Sequence, residues 1–204
     1  MGTAPSRARA LALLPLIAVL AACGSKQVTR IEPTAVTDLS GRWNDTDSRL
    51  VANALIDQSL GGPWLTRYTA THGGDAPTDI VGDFTNRTME HVPVATFLSD
   101  LERAFVGSGA VRVVAGPDER STVRDERRDQ QENARADTRA RMAQELGARY
   151  MLQGAIEAIE DEEGREKIVF YQIDATLVDL ESNEKVWTGQ HKIKKYIERP
   201  RLRF

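Results

Sequence analysis

The residue types that most often carry catalytic or metal chemistry are few in this chain and lie far apart. There is one cysteine, Cys23, and there are three histidines, His72, His91 and His191. Metal sites draw on closely spaced cysteines, histidines or carboxylates, and these histidines lack that spacing. No Gly-x-Ser-x-Gly segment is present to expose a serine nucleophile. The pattern predicts neither a metal site nor a cofactor.

Carboxylates offer a second route to chemistry. Acidic residues cluster at 161–163 and again at Glu181 and Glu184. A glycoside hydrolase needs two carboxyl groups that face each other across a cleft, about 5–9.5 Å apart. Both clusters fall in predicted turns, where carboxylates are usually solvated. We therefore expect a protein that is not an enzyme, and a glycan-cleaving enzyme is the weakest alternative.

The single cysteine follows a segment with a recognisable targeting pattern. Arg7 and Arg9 precede an apolar run from Leu11 to Leu20, and small residues come directly before Cys23. A positive segment, a short apolar core and small residues are typical of a secretory signal peptide. The run is about half the roughly 20 residues that a membrane-spanning helix needs. We predict a signal peptide at residues 1–22.

The segment Leu20-Ala21-Ala22-Cys23 resembles the lipobox of bacterial lipoproteins. That resemblance implies cleavage before Cys23 and lipidation of its thiol, whereas the alternative is an unmodified signal that ends in a chance cysteine. Several acyl chains anchor firmly, because each buried methylene contributes about 0.8 kcal/mol. Gly24 stands where aspartate would favour the inner membrane, so the resemblance implies the outer membrane, with the protein on its periplasmic face.

Charge and length limit what the mature chain can do. The chain has 27 Lys and Arg against 30 Asp and Glu, and removal of the two signal-peptide arginines leaves 25 against 30, a net charge of −5. This balance disfavours binding to nucleic acid and polybasic attachment to lipid. Residues 23–35 are predicted to be the lipidated N-terminus and a short tether, and residues 36–204 one domain. An edge strand through Val28 and Ile31 is the alternative for the tether.

Apolar residues at helical spacing predict three helices in the first half of the domain. The first has its apolar face at Leu50, Val51, Ala54 and Leu55, with N-cap candidates at 44–47. Pro63 suits the first turn of a short second helix. The third opens at Pro93, carries an apolar stripe through Val94, Phe97, Leu98, Leu101 and Phe105, and is expected to stop at Gly107 and Gly109.

The strand patterns predict an α+β fold with a mixed sheet of about five strands. Short buried strands near 80–84 and 111–114 flank the third helix, which indicates a βαβ crossover between parallel strands. Alternating segments at 152–158, 169–177 and 187–193 predict a C-terminal antiparallel meander. Helices are expected to flank this sheet.

The stretch from Pro117 to Leu146 is strongly charged. We expect it to be helical with a break near Asn133, with an exposed first half and a second half packed through Ala136, Ala140, Ala143 and Leu146. A helix that is polar all round is either a solvated face with i,i+4 pairs or a contact surface. The sequence leaves both interpretations open.

Several segments match the motifs of one protein family. They are DLSGRWNDTDSR at 38–49, DFTNRT at 83–88 with Glu90-His91, DLERA at 100–104 with VRVV at 111–114, the charged residues of 119–131 and KVWTG at 185–189. Together they resemble the penicillin-binding protein activator LpoB family over nearly all of residues 36–195. The resemblance implies a fold similar to the N-terminal domain of TolB.

The resemblance also implies a function. Members of the family are outer-membrane lipoproteins that dock onto a bifunctional, class A penicillin-binding protein and stimulate its glycosyltransferase and transpeptidase activities, without a small-molecule substrate. Arginine is enriched in binding hot spots. We therefore expect partner contacts at residues on the family-like motifs, namely Asn86, Arg87, Arg120, Arg124 and Arg127.

The tether departs from the family pattern. Well-known members carry a long, proline-rich tether, whereas the span from Cys23 to Val36 reaches at most about 45 Å, at roughly 3.3–3.6 Å per residue. Either the partner reaches outward or the domain stays near the outer membrane. The alternative function is therefore a non-catalytic periplasmic scaffold or assembly subunit of another envelope complex.

Overall fold

The computed structural model of the chain describes residues 27–141 and 144–200. The signal peptide predicted at residues 1–22 and the predicted lipid attachment site, Cys23, lie outside the described residues. The same is true of Ala143, one of the residues expected to pack a second charged helix. Those predictions stay predictions.

The segment before residue 36 has no regular secondary structure where it is described. Residues 27–35 contain no helix or strand, and one turn forms where the Ala35 N–H donates to the Glu32 carbonyl at 3.0 Å. Val28 and Ile31 are both exposed. The alternative of an edge strand through these two residues is therefore wrong.

From Val36 onward the described residues form one compact unit with four helices and five strands. The helices are α1 (Asp45–Leu60), α2 (Pro63–Thr71), α3 (Val94–Ser108) and α4 (Pro117–Asn133). The strands are β1 (Thr78–Asn86), β2 (Arg112–Val113), β3 (Tyr150–Glu163), β4 (Glu166–Asp179) and β5 (Lys185–Glu198).

The five strands form a single mixed sheet in the order β2-β1-β3-β4-β5. Strand β1 runs parallel to both β2 and β3, whereas β3, β4 and β5 pair antiparallel. Gly164 and Asn183, both with positive φ, lie in the two hairpin turns. This arrangement confirms the predicted α+β class, the parallel strand pair around α3 and the C-terminal meander.

Helix α1 begins where the sequence predicts, with Asn44 as its N-cap. The Asn44 side chain accepts from the Asp47 N–H at 3.2 Å, and the Asp47 carboxylate accepts from the Asn44 N–H at 2.9 Å, which completes a capping box. The buried face differs by one position from the prediction. Leu50 is 46% exposed, while Ala52 is fully buried beside Val51.

Helices α1 and α3 pack together and cover one face of the sheet. Helix α1 lies against β5, and α3 lies against β1 and β2. The predicted stripe of α3 is confirmed, because Phe97, Leu101 and Phe105 are fully buried. Gly109, in the left-handed conformation, ends the helix, whereas Gly107 lies within it. Alternate residues of β4, from Val169 to Leu177, are buried in the same hydrophobic cluster as these helix residues.

The charged stretch is only half helical. Helix α4 ends at Asn133, the predicted break, and it has no buried residue. The described residues 134–141 and 144–149 form no second helix, Ala136 is exposed and Leu146 is 47% exposed. The prediction of a packed second half is wrong, because alanines at helical spacing bury too little apolar surface to hold a helix against the core.

Gly154 marks a close approach between β3 and its neighbours. A Cβ atom there would collide with the Asp174 carbonyl oxygen and the Phe84 ring. We expect Gly154→Ala to lower the free energy of unfolding by about 1–3 kcal/mol in urea titrations, because the added methyl overpacks the core. The control is Gly147→Ala, where a Cβ atom meets no described atom within 4 Å. Equal losses in both variants would contradict the close approach.

Candidate interaction surfaces

Three of the predicted contact residues lie on one face of α4. Arg120, Arg124 and Arg127 are spaced by four and three residues, so their side chains are neighbours on the helix surface. The side chain of Arg124 is 54% exposed and that of Arg127 is 32% exposed. We call these three residues the arginine cluster.

The arginine cluster converges on Glu145. Arg124 donates through Nε and Nη2 to the two carboxylate oxygens at 3.0 and 2.7 Å, and Arg127 Nη1 donates to Oε1 at 3.1 Å. The hydrogen bond from Arg124 holds the pKa of Glu145 below its usual range, and the charges of Arg127 and Arg120 act in the same direction. A two-pronged guanidinium–carboxylate pair of this kind has a fixed, planar geometry.

A second contact holds the segment that carries Glu145 to α4. The Gln131 side chain donates to the Ala140 carbonyl at 2.8 Å, and the Gln130 side chain accepts from the Ala140 N–H at 2.8 Å. The segment after α4 is therefore tied to the helix by side chains rather than by secondary structure.

A pocket of about 240 Å³ lies beside the arginine cluster. Its apolar walls come from Val114, Ala115, Val123 and Leu146, and Arg120 also lines it. The Nε atom of Arg120 is buried and has no hydrogen-bond partner among the described residues. The pocket thus combines apolar walls with a guanidinium group that is incompletely satisfied.

The other two predicted contact residues are Asn86, the last residue of β1, and Arg87, the first residue of the loop that follows it. The Asn86 amide donates to the Glu90 carbonyl at 2.8 Å and accepts from the Thr88 N–H at 2.9 Å. Its side chain is therefore used to shape the loop. Arg87 is 62% exposed and pairs with Glu157 of β3 at 3.0 Å, and Met89 is 98% exposed.

Glu90 fastens this loop to the core. Its carboxylate accepts from the Tyr171 hydroxyl at 2.7 Å and from the Trp43 N–H at 3.2 Å. Burial and this hydrogen bond raise the pKa of Tyr171. The motifs around Trp43 and Glu90, far apart in sequence, are thus joined in one structural network, and His91 beside them is exposed.

The structure places the predicted contact residues in two groups. Arg120, Arg124 and Arg127 meet around Glu145, whereas Asn86 and Arg87 lie at the end of β1. Whether either group contacts a partner stays a prediction. The spacing of the three arginines by four and three residues predicts that they share one helix face. The role of Glu145 is not predicted, because the segment that carries it has no periodic pattern.

Residues 27–141 and 144–200 are the described part of the chain. In this part of the chain no three His, Cys, Asp or Glu side chains are grouped so that they could hold a metal ion. No helix in it is long and apolar enough to cross a bilayer.

The fold and these surfaces define an α+β domain that presents arginine-rich patches to solvent. The sequence profile of the family described as peptidoglycan-synthase activator LpoB matches residues 47–193. The chain belongs to this family, and the family resemblance in the sequence is confirmed.

Solved structures that match the chain at low identity include LpoB structures. The chain is 16% identical to the LpoB C-terminal domain from Escherichia coli (67% of this chain, 98% of that chain, TM-score 0.37). It is 12% identical to LpoB from E. coli in a structure solved by NMR (98% and 91%, TM-score 0.42). It is 16% identical to lipoprotein GNA1162 from Neisseria meningitidis (59% and 83%, TM-score 0.39). A comparison with curated protein sequences gives no significant match.

Proposed function

We propose that this protein is an outer-membrane lipoprotein, anchored through Cys23, that binds a class A penicillin-binding protein in the periplasm and stimulates its synthesis of peptidoglycan. The observation that carries the proposal is the family match over residues 47–193. The lipobox-like segment before Cys23 supports the anchor.

Activation by a protein of this kind requires differential binding. A regulator shifts a partner toward its active conformation only by binding that conformation more tightly than the inactive one. Arg87 and Arg124 are suited to such contacts, because their side chains are exposed and arginine is enriched in binding hot spots. Arg127 is partly exposed beside Arg124.

The test measures polymerisation of lipid II by the class A penicillin-binding protein of the same organism, with and without the mature full chain in detergent. Stimulation together with binding at micromolar concentration supports the proposal. Absence of both would contradict it.

Charge reversal at Arg124 is expected to weaken binding to the synthase by about tenfold or more, since it places two carboxylates side by side and presents the wrong charge to the partner. The melting temperature should hardly change, because an exposed ion pair stabilises little. Calorimetric titration of Arg124→Glu measures its affinity for the synthase, and thermal unfolding measures its melting temperature. The control is Arg103→Glu on α3, another exposed and ion-paired arginine. A fall in melting temperature with Arg124→Glu would show that the pair is structural.

The short tether favours a second candidate function, a non-catalytic scaffold or assembly subunit of another envelope complex. A reach of at most about 45 Å keeps the domain close to the outer membrane unless the partner extends toward it. Crosslinking in cells separates the two functions, because the dominant crosslinked partner is a synthase in one case and a different envelope protein in the other.

A further inference from the structure

The arginine cluster has an unusual ratio of charges. Three guanidinium groups act on one carboxylate, that of Glu145, and two of them donate hydrogen bonds to it. The cluster therefore keeps an excess of positive charge, which attracts a further anionic group of a partner and repels cationic ones.

The adjoining pocket has the size and lining for a single side chain. Its volume of about 240 Å³ is below the roughly 300–1,000 Å³ of pockets that hold drug-sized ligands. Val123 and Leu146, which form two of its walls, are 43% and 47% exposed, so the pocket opens to solvent at an apolar rim. An apolar side chain next to an acidic one would fit the pocket and the cluster together.

The chain itself already presents that combination. Glu145 and Leu146 are consecutive, and one supplies the carboxylate while the other supplies apolar surface. They belong to a stretch with no helix or strand among the described residues 134–141 and 144–149, so no backbone ladder fixes them in place.

We propose that the arginine cluster and its pocket bind an extended segment of the partner in which an acidic residue adjoins a large apolar one, and that Glu145 occupies the cluster as an internal stand-in until the partner's carboxylate replaces it. With regard to the identity of the partner, this inference rests on the proposed function. The exchange conserves the two-pronged hydrogen bonds and adds the burial of an apolar side chain. Opening the Glu145 pair costs little, because the pair is solvent-exposed.

The first experiment measures affinity for the class A synthase with three variants of the mature full chain. Glu145→Gln removes the competing carboxylate at constant size, and we expect binding to tighten about three- to tenfold. Arg124→Gln removes the guanidinium group that donates two hydrogen bonds to the carboxylate, and we expect binding to weaken about five- to tenfold. Arg103→Gln is the control and should stay within about twofold. If the wild type binds the synthase while Glu145→Gln and Arg124→Gln match it, this inference is overturned and the proposed function stands.

The second experiment needs no synthase. The isotope-labelled full chain is titrated with the capped peptide Gly-Leu-Glu-Gly and with its Gly-Leu-Gln-Gly counterpart, and amide chemical shifts are followed by NMR. We expect shifts confined to α4 and residues 144–146 with the acidic peptide and much smaller ones with the neutral peptide. If the wild type does not bind the synthase but shows this pattern, the site stands and the proposed partner is wrong. Equal responses to both peptides, or shifts elsewhere, would refute the site.

Discussion

Replacing Lys195 by methionine is expected to lower the free energy of unfolding by about 3 kcal/mol, the largest loss that we predict for a single side chain. Lys195 Nζ donates to Asp38 and to Asp47, each at 2.6 Å, and to the Arg42 carbonyl at 3.1 Å. The side chains of Lys195 and Asp47 are only 9% and 6% exposed. Without the ammonium group the buried Asp47 carboxylate keeps the hydrogen bond from the Asn44 N–H but loses its counter-charge. Breaking a buried ion pair in this way costs about 3–5 kcal/mol.

The ion pair also fixes the segment before α1. Asp38 is half exposed, and its hydrogen bond with Lys195 holds the pKa of Asp38 below its usual range. The pair therefore stabilises the fold above the ordinary pKa of an aspartate, and that contribution is lost as the pH falls through the lowered pKa. Removing Lys195 should free residues 38–42 as well as destabilise the whole domain.

Urea unfolding followed by tryptophan fluorescence measures the effect of Lys195→Met. The control is Lys192→Met, an exposed lysine on the same strand, which should change the free energy of unfolding by less than about 0.5 kcal/mol. Similar losses in the two variants would mean that the buried ion pair stabilises no more than a surface lysine.

The parts of the fold that the sequence predicts are those where apolar surface decides the structure. The spacing of Phe97, Leu101 and Phe105 predicts α3, and all three are fully buried. Strand β4 alternates from Val169 to Leu177 as expected, because every second side chain enters the core. Pattern and burial agree here because a single energetic term, the removal of apolar groups from water, dominates.

The pattern fails where polar groups are buried. Along β5, Lys195 lies on the same face of the strand as Ile193 and Ile197. The sequence alone does not predict that a lysine is buried there, because it does not show which carboxylates pair with it. Those partners, Asp38 and Asp47, are about 150 residues away in sequence. The fold therefore uses an ion pair that periodicity alone does not reveal.

The sequence predicts the candidate surfaces only in part as well. The arginines of α4 are predicted as contact residues, and the structure explains why they act as a group, since they share a face and one carboxylate. Asn86 is predicted on the same grounds, yet its amide hydrogen-bonds within its own loop. A motif shows that residues belong together, whereas the hydrogen bonds decide which of them remain available to a partner.

Asp79 is a buried carboxylate without an ion-pair partner among the described residues, and we expect its neutralisation to stabilise the protein. It is fully buried on β1, and neither carboxylate oxygen has a hydrogen-bond partner among the described residues. Burial raises the pKa of Asp79 to about 7, from an ordinary value of 3.8. Between these two values the folded state holds a proton that the unfolded state has released, so stability falls as the pH rises.

Asp79→Asn removes that pH dependence while keeping the size of the side chain. The difference in free energy of unfolding between variant and wild type should grow by about 1.4 kcal/mol per pH unit from pH 4 to pH 7 and then level off. The unsatisfied amide of the asparagine costs about 1–3 kcal/mol at every pH, so the net gain at pH 8 is about 1–3 kcal/mol. Urea titrations at pH 4, 5.5, 7 and 8 measure this difference, with Asp83→Asn, an exposed aspartate of the same strand, as the control. A pH-independent difference would mean that Asp79 is ionised and compensated in the folded protein, and the desolvation argument would fail.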